Sequence, residues 1–299
     1  QKAIALLKDA SHPEARRVEL LEVFGEVKTP AALPILLASA RAAKESAVRK
    51  AALGAVQIYG DPAVAQELIA LLPKLSPEER AVALNVLASR ENWAKSLVDS
   101  ANRQKLDRKL VSAEIVEKLR AFEDLESSVN DTWGPRRNLT TEVIDEKLHQ
   151  FTRVIQQGNG DPFAGYNNYN LACAACHRFF GEGGQIGPDL TTFKRDDLNS
   201  MLMSIVNPSG EIREGYENVM VETKDGRNLS GFIAERYEDA IVLRGLDGSR
   251  TLVQNSEIIS TKAAGSSLMP EGLLEAFEEQ QVRDLFAYLR STQPLVKQR

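Results

Sequence analysis

The chain has 299 residues, 43% of them hydrophobic, which suits about two packed domains and excludes disorder along its whole length. Lysine and arginine number 37 against 42 aspartates and glutamates, a net charge of −5 without a long basic run, so nucleic acid is not an expected partner. No stretch approaches the roughly eighteen consecutive apolar residues of a membrane span, and the best, residues 31–40, is interrupted by Pro34. A signal peptide or an upstream domain is expected to have preceded Gln1.

Residues 1–122 are rich in alanine and leucine, with apolar positions at helical spacing: Val18, Leu21 and Val23-Phe24, then Val48, Ala52 and Ala55-Val56, then Val82, Leu84 and Val86-Leu87. Helix ends are expected at Gly25, at Gly60-Asp61-Pro62, and at Ser76-Pro77-Glu78-Glu79, where Ser76 caps and Pro77 fits the first turn. The stretch opening with Arg16-Arg17-Val18 lines up with the one opening with Arg49-Lys50-Ala51, and a looser copy starts at Arg80. That period, about 30 to 35 residues, resembles the helical hairpins of HEAT repeats and predicts an N-terminal α-solenoid in a mainly α protein. Such a surface serves either to dock another protein or as a spacer. His12, before Pro13, and His149, on a helix predicted over residues 142–157, read as surface residues. Residues 123–141 lose the apolar period and carry Asn130-Asp131, Gly134-Pro135 and Arg136-Arg137, so they are expected to form a connecting loop before a second domain over residues 142–299.

Chemistry concentrates at the only two cysteines, in Cys173-Ala174-Ala175-Cys176-His177. This is the attachment spacing of a c-type heme: both thiols lie on one face of a helical turn and reach the porphyrin vinyl groups, while His177 points at the iron. A zinc site requires a second pair of ligands, and a thioredoxin-like pair requires a preceding strand; neither is seen. Phe163, Tyr166 and Asn170, with Tyr169 on the adjacent edge, predict a helix that delivers the cysteines. Gly181-Glu182-Gly183-Gly184 predicts a tight loop, followed by Gly187-Pro188-Asp189-Leu190. In c-type cytochromes a Gly-Pro segment of this kind runs past the axial histidine, where a carbonyl accepts the ring N–H; Pro188 and Leu190 would then cover the proximal face, an ordinary turn being the other reading.

Four methionines are candidates for the sixth ligand. Met201 and Met203 fall on a helix predicted over residues 196–206 and Met220 on an alternating strand, where methionine usually fills a core. Met269 sits in the loop Ser266-Ser267-Leu268-Met269-Pro270, where Pro270 keeps the backbone extended, and is assigned as distal ligand. The expected cofactor is one covalent heme c, its iron held by His177 and Met269. A last helix over residues 278–291, with Val282, Leu285, Phe286 and Leu289 in one stripe, is expected to pack on the helix before the motif. Between these parts, residues 216–260 read as four or five short antiparallel strands with turns at Asp225-Gly226 and Asp247-Gly248. They predict a small curled sheet or barrel that shields the heme edge, binds a partner, or is a separable embellishment.

From residue 158 to about 289 the chain resembles the heme-binding domain found at the C-terminal end of large multidomain proteins of planctomycetes and verrucomicrobia. The resemblance is carried by Gly165, Tyr169, the Cys173 to His177 motif, Gly187-Pro188-Asp189-Leu190, Ile205-Val206-Asn207-Pro208-Ser209, Tyr216, Asp225-Gly226, Ser267-Leu268-Met269-Pro270, Asp284-Leu285 and Tyr288-Leu289. Asn167-Asn168 departs from it, since the pattern usually has apolar or basic residues there. The resemblance implies an exported, periplasmic electron-transfer module that takes electrons from an upstream or partner dehydrogenase and is not an enzyme by itself. The competing readings are a peroxidase-like heme enzyme with an open distal site and a redox-sensing scaffold whose solenoid binds a partner.

Overall fold

The computed structural model describes residues 4, 6, 12–135, 139–245, 248 and 250–295. Arg136, Arg137 and Asp247 lie outside the described residues. The first half is built of helices, among them α1 (Glu14–Glu26), α2 (Leu33–Ala42), α3 (Ser46–Ala55), α4 (Pro62–Leu71), α5 (Pro77–Leu87), α6 (Glu91–Asn102), α7 (Ala113–Arg120) and α8 (Glu126–Trp133). They pair as hairpins, with α1, α3 and α5 stacked in one layer and α2, α4, α6 and α8 in the other. One continuous core runs between the layers, including Leu21, Leu36, Leu53, Leu68, Leu87, Trp93, Leu119 and Val129.

Local chemistry explains the helix starts. Asp61 accepts a hydrogen bond from the Ala63 amide at 2.9 Å, with Pro62 in the first turn. Ser76 and Glu79 form a reciprocal capping box around Pro77. One expectation holds to within a residue and one is corrected. Gly25 lies in the last turn of α1, one residue before its end, and has a second part to play: a Cβ there would stand 3.0 Å from the Ala55 Cα, so the glycine lets α1 and α3 approach. Residues 123–133 are not a connecting loop but a 3-10 turn and α8, because Leu125 and Val129 complete the repeat core despite the polar residues around them.

The second half holds α9 (Thr141–Gln156), α10 (Pro162–Ala172), α11 (Leu198–Val206) and α12 (Glu279–Leu289) around a separate core that includes Phe151, Tyr169, Phe179, Met201, Leu202, Leu285, Phe286 and Tyr288. The stripe of α12 packs on α10, as its spacing predicts. Their approach is close: a Cβ on Gly165 would lie 1.9 Å from the Asp284 carbonyl oxygen. Asp284 accepts from the Asp161 amide at 2.8 Å, and buried Asn168 donates to the Gln281 carbonyl at 3.0 Å, so the departure at Asn168 serves this interface. The buried face of α10 is Gly165, Asn168 and Tyr169, whereas Phe163 is 49% exposed.

A hairpin of β1 (Arg178–Phe179) and β2 (Glu182–Gly183) follows the cysteines. The insertion is a five-stranded antiparallel sheet of β3 (Val219–Thr223), β4 (Asn228–Arg236), β5 (Ala240–Arg244), β6 (Arg250–Gln254) and β7 (Ile258–Ala263), in the order β6-β5-β4-β3-β7. The first part of β4 pairs with β3 and the second with β5, which curls the sheet over Val221, Leu229, Ile241, Leu243 and Val253. The unit is not detached. The Asn228 amide donates to the Ser89 carbonyl at 2.7 Å, and Arg244 donates to the Gln185 carbonyl at 3.0 Å, so it touches both the repeat half and the loop after the cysteines.

Candidate functional site

The end of α10 runs directly into the motif. The Cys173 amide donates to the Tyr169 carbonyl at 2.8 Å, and the amides of Cys176 and His177 both donate to the Cys173 carbonyl, at 3.1 and 2.9 Å. One closed turn therefore carries Cys173, Cys176 and His177. The chain reverses at Phe180-Gly181, both with positive φ (51° and 86°), the backbone of a type I′ turn. Phe180 accepts this unfavourable conformation while its ring stacks on Phe179 at 4.2 Å and its amide donates to the Thr191 hydroxyl at 2.8 Å. The returning segment is tied to the cysteine turn by amides of Gly184 to Ala174 (2.8 Å), and of Ile186 and Gly187 to the Cys176 carbonyl (3.0 and 2.8 Å).

His177 is held on three sides. Its Nδ1 lies 2.9 Å from the Pro188 carbonyl, its own carbonyl accepts from the Tyr169 hydroxyl at 2.6 Å, and a Cβ on Gly187 would come within 2.5 Å of its Cε1. A carbonyl only accepts, so Nδ1 carries the proton and Nε2 presents a lone pair. Burial lowers the pKa of the ring against the opposing pull of the Pro188 carbonyl, which favours the neutral imidazole that a metal requires. Pro188 thus acts through its carbonyl, and Leu190 opens a short 3-10 turn whose side chain packs against the same core as Cys173.

Both thiols are free, and burial pushes Cys173 up to about 12, with Cys176 adding to the effect. Cys176 is also raised, by burial and then by the charge of Glu114 on α7. These are neutral thiols in apolar surroundings, unlike the depressed thiols of reactive or metal-binding cysteines. Among the described residues no three His, Cys, Asp or Glu side chains converge as ligands of a bare ion. The donor set fits a porphyrin carried on thioether links, with His177 as the only iron donor in the turn.

Met269 belongs to a different wall. Its amide donates to the Ser267 hydroxyl at 3.1 Å, and the Ser267 amide donates to the Ser209 hydroxyl at 3.1 Å. The side chain lines a cleft of about 1530 Å³ between α7, the β3–β4 face and the methionine loop. Glu114 lines that cleft as well, whereas Cys173, Cys176 and His177 are not among its lining residues. Of the other methionines, Met201 is buried in the core as expected, Met203 is 37% exposed, and Met220 faces the cleft rather than the sheet core. Sequence reasoning missed Glu114 and Met220, which nothing local marks, and Ser209, whose only signal was the Asn207-Pro208-Ser209 resemblance. His149 is exposed, and His12 is half-buried rather than fully solvated.

Among the described residues no helix is long and apolar enough to cross a membrane. Residues 1–88 match the family model of HEAT repeats, a class whose extended surfaces commonly dock other proteins. No curated protein matches the chain. Residues 1–88 are therefore a HEAT-repeat region in a mainly helical chain that also carries a small antiparallel sheet.

Proposed function

We propose that the C-terminal half is an electron-transfer module holding one heme c, attached through Cys173 and Cys176 and ligated by His177 and Met269. The observation that carries this reading is the committed His177 ring, whose Nδ1 is 2.9 Å from the Pro188 carbonyl while Gly187 leaves the space its edge needs. When bound, the heme supplies a one-electron couple whose potential depends on its axial donors and burial. Each protein group then has a defined task. The cysteine sulfurs tether, the Pro188 carbonyl fixes the imidazole tautomer, Leu190 helps to exclude water, and Met269 offers a neutral thioether. Electrons come from an upstream or partner dehydrogenase, with the repeats as the docking surface. Covalent attachment of this kind places the module in the periplasm or another exported compartment, and the module is a carrier rather than an enzyme.

Heme-stained denaturing electrophoresis and intact mass test the reading. Heme that stays with the denatured polypeptide is the expected result; a mass equal to the bare chain overturns it. Reduced protein that binds carbon monoxide readily and turns over peroxide fast would replace the carrier with the enzyme.

A further inference from the structure

Tyr169, on the buried face of α10, is 1% exposed and is bonded to the cysteine turn at both of its ends. Its carbonyl accepts from the Cys173 and Ala174 amides at 2.8 and 3.0 Å, where the turn opens. Its hydroxyl donates to the His177 carbonyl at 2.6 Å, where the turn closes. The electron-transfer reading gives a task to the Pro188 carbonyl, which meets the His177 ring, and none to this hydroxyl, which meets the His177 backbone.

The surroundings hold both partners in place. A Cβ on Gly183 would stand 2.2 Å from the His177 oxygen, so β2 closes over that oxygen. The phenol ring lies 5.4 Å, centroid to centroid, from Tyr288 on α12 and 5.8 Å from Phe179 on β1. Tyr288 meets Phe179 edge-on at 5.2 Å, so three buried rings from three elements close a cluster behind the turn. A phenylalanine ring would fill the same volume. The hydroxyl is the part of Tyr169 that packing does not explain.

We infer that Tyr169 is a positioning residue: its hydroxyl locks the His177 peptide, so that the imidazole is presented to the iron in a single orientation. The claim about the iron rests on the heme reading; the lock does not. An imidazole hangs from its backbone by two torsions, so the Pro188 contact at Nδ1 fixes the ring only while the peptide behind it is fixed. Without the hydroxyl the His177 carbonyl loses a donor in a partly buried place, and a peptide that turns to find another carries the ring off the Pro188 carbonyl.

The experiment uses the full chain carrying heme and compares Tyr169→Phe with Tyr288→Phe, which deletes a hydroxyl from the same ring cluster. Tyr169→Phe is expected to speed exchange of the His177 Nδ1 proton with water at least about tenfold, read by NMR of the reduced protein, while the Phe286 amide within α12 keeps its rate. In the oxidised protein the spread of the ferric g values, which follows the orientation of the axial ring, is expected to change. Tyr288→Phe is expected to alter neither, and an equal effect from it overturns the lock. An unchanged Nδ1 rate in Tyr169→Phe overturns the lock as well. So does equal acceleration at Nδ1 and at Phe286, because a plain loss of stability moves both. Faster Nδ1 exchange with unaltered g values overturns the claim about the iron and leaves the heme reading standing. Absence of covalent heme from the unmodified protein removes the heme reading and the claim about the iron together, while Nδ1 exchange in the heme-free chain still decides the lock.

Discussion

The cysteine turn and the Met269 loop hold their candidate side chains by different means. The turn is bound to itself: His177, Gly184, Ile186 and Gly187 all use carbonyls of residues 173–176, and the Pro188 carbonyl comes back to the ring eleven positions later. Met269 depends on Ser267, which depends on Ser209, 58 positions away, and the cleft it faces is walled by a repeat helix and by the sheet. Backbone closure of the first kind is insensitive to how distant parts of the molecule are arranged. A site assembled from three regions responds to every displacement between them.

The sharpest way to break this contrast is at the proposed ligands. Met269→Ala is expected to convert the reduced protein from one that excludes carbon monoxide to one that binds it fully, with heme attachment intact; Met201→Ala and Met203→Ala should leave ligation unchanged, as read by absorbance with added ligand. Gly187→Ala attacks the proximal side, where the added Cβ meets the imidazole at 2.5 Å. It should destabilise the fold by about 1–3 kcal/mol in denaturant titration and shift the heme spectrum, because neither the ring nor the tied backbone has space to yield.

Acid provides a milder separation. Burial works against ionisation of Asp225, but the Thr223 hydroxyl and the Arg227 and Arg90 guanidiniums outweigh it and hold the carboxyl at about 2, below its usual 3.8. A depressed carboxyl pKa stabilises fully above the unfolded value and is lost as pH falls through the folded one. The Arg90–Asp225 contact should thus persist down to about pH 4 and weaken between there and pH 2, seen as rising exchange at Asn228, whose amide donates to the Ser89 carbonyl beside it, before the backbone bonds of the cysteine turn open. The smallest effect is expected from Ser267→Ala, which removes one partly buried hydrogen bond, about 0.5–1.5 kcal/mol, read as faster exchange of the Met269 amide.

The same division between near and far partners decides what the sequence revealed. The cap at Ser76, the helix boundary at Gly60-Asp61-Pro62 and the apolar period of the repeats are local, and were legible. So was the relation of His177 to the Gly187-Pro188 segment. Helix α8 was not, because a polar segment becomes helical there only through what Leu125 and Val129 pack against. The helix α10 was legible but its buried face was not, because Gly165 and the tight crossing with α12 decide that Tyr169 turns inward and Phe163 outward. Met220 and Glu114 gain their position from the tertiary arrangement alone.

The pairing of α10 with α12 also has a consequence for the order of events in making the protein. The Asp161 to Asp284 contact joins residues 123 positions apart, with the whole sheet between them. Closing so long a loop is slow relative to forming a helix or a hairpin, and it has to wait until α12 has been synthesised. During that interval α10 lacks its packing partner, and the cysteine turn at its end stays open to whatever catalyses chemistry on the thiols. Late closure by the last helix therefore provides a time window, set by chain connectivity, in which Cys173 and Cys176 are more accessible than in the finished fold, where both are half-buried.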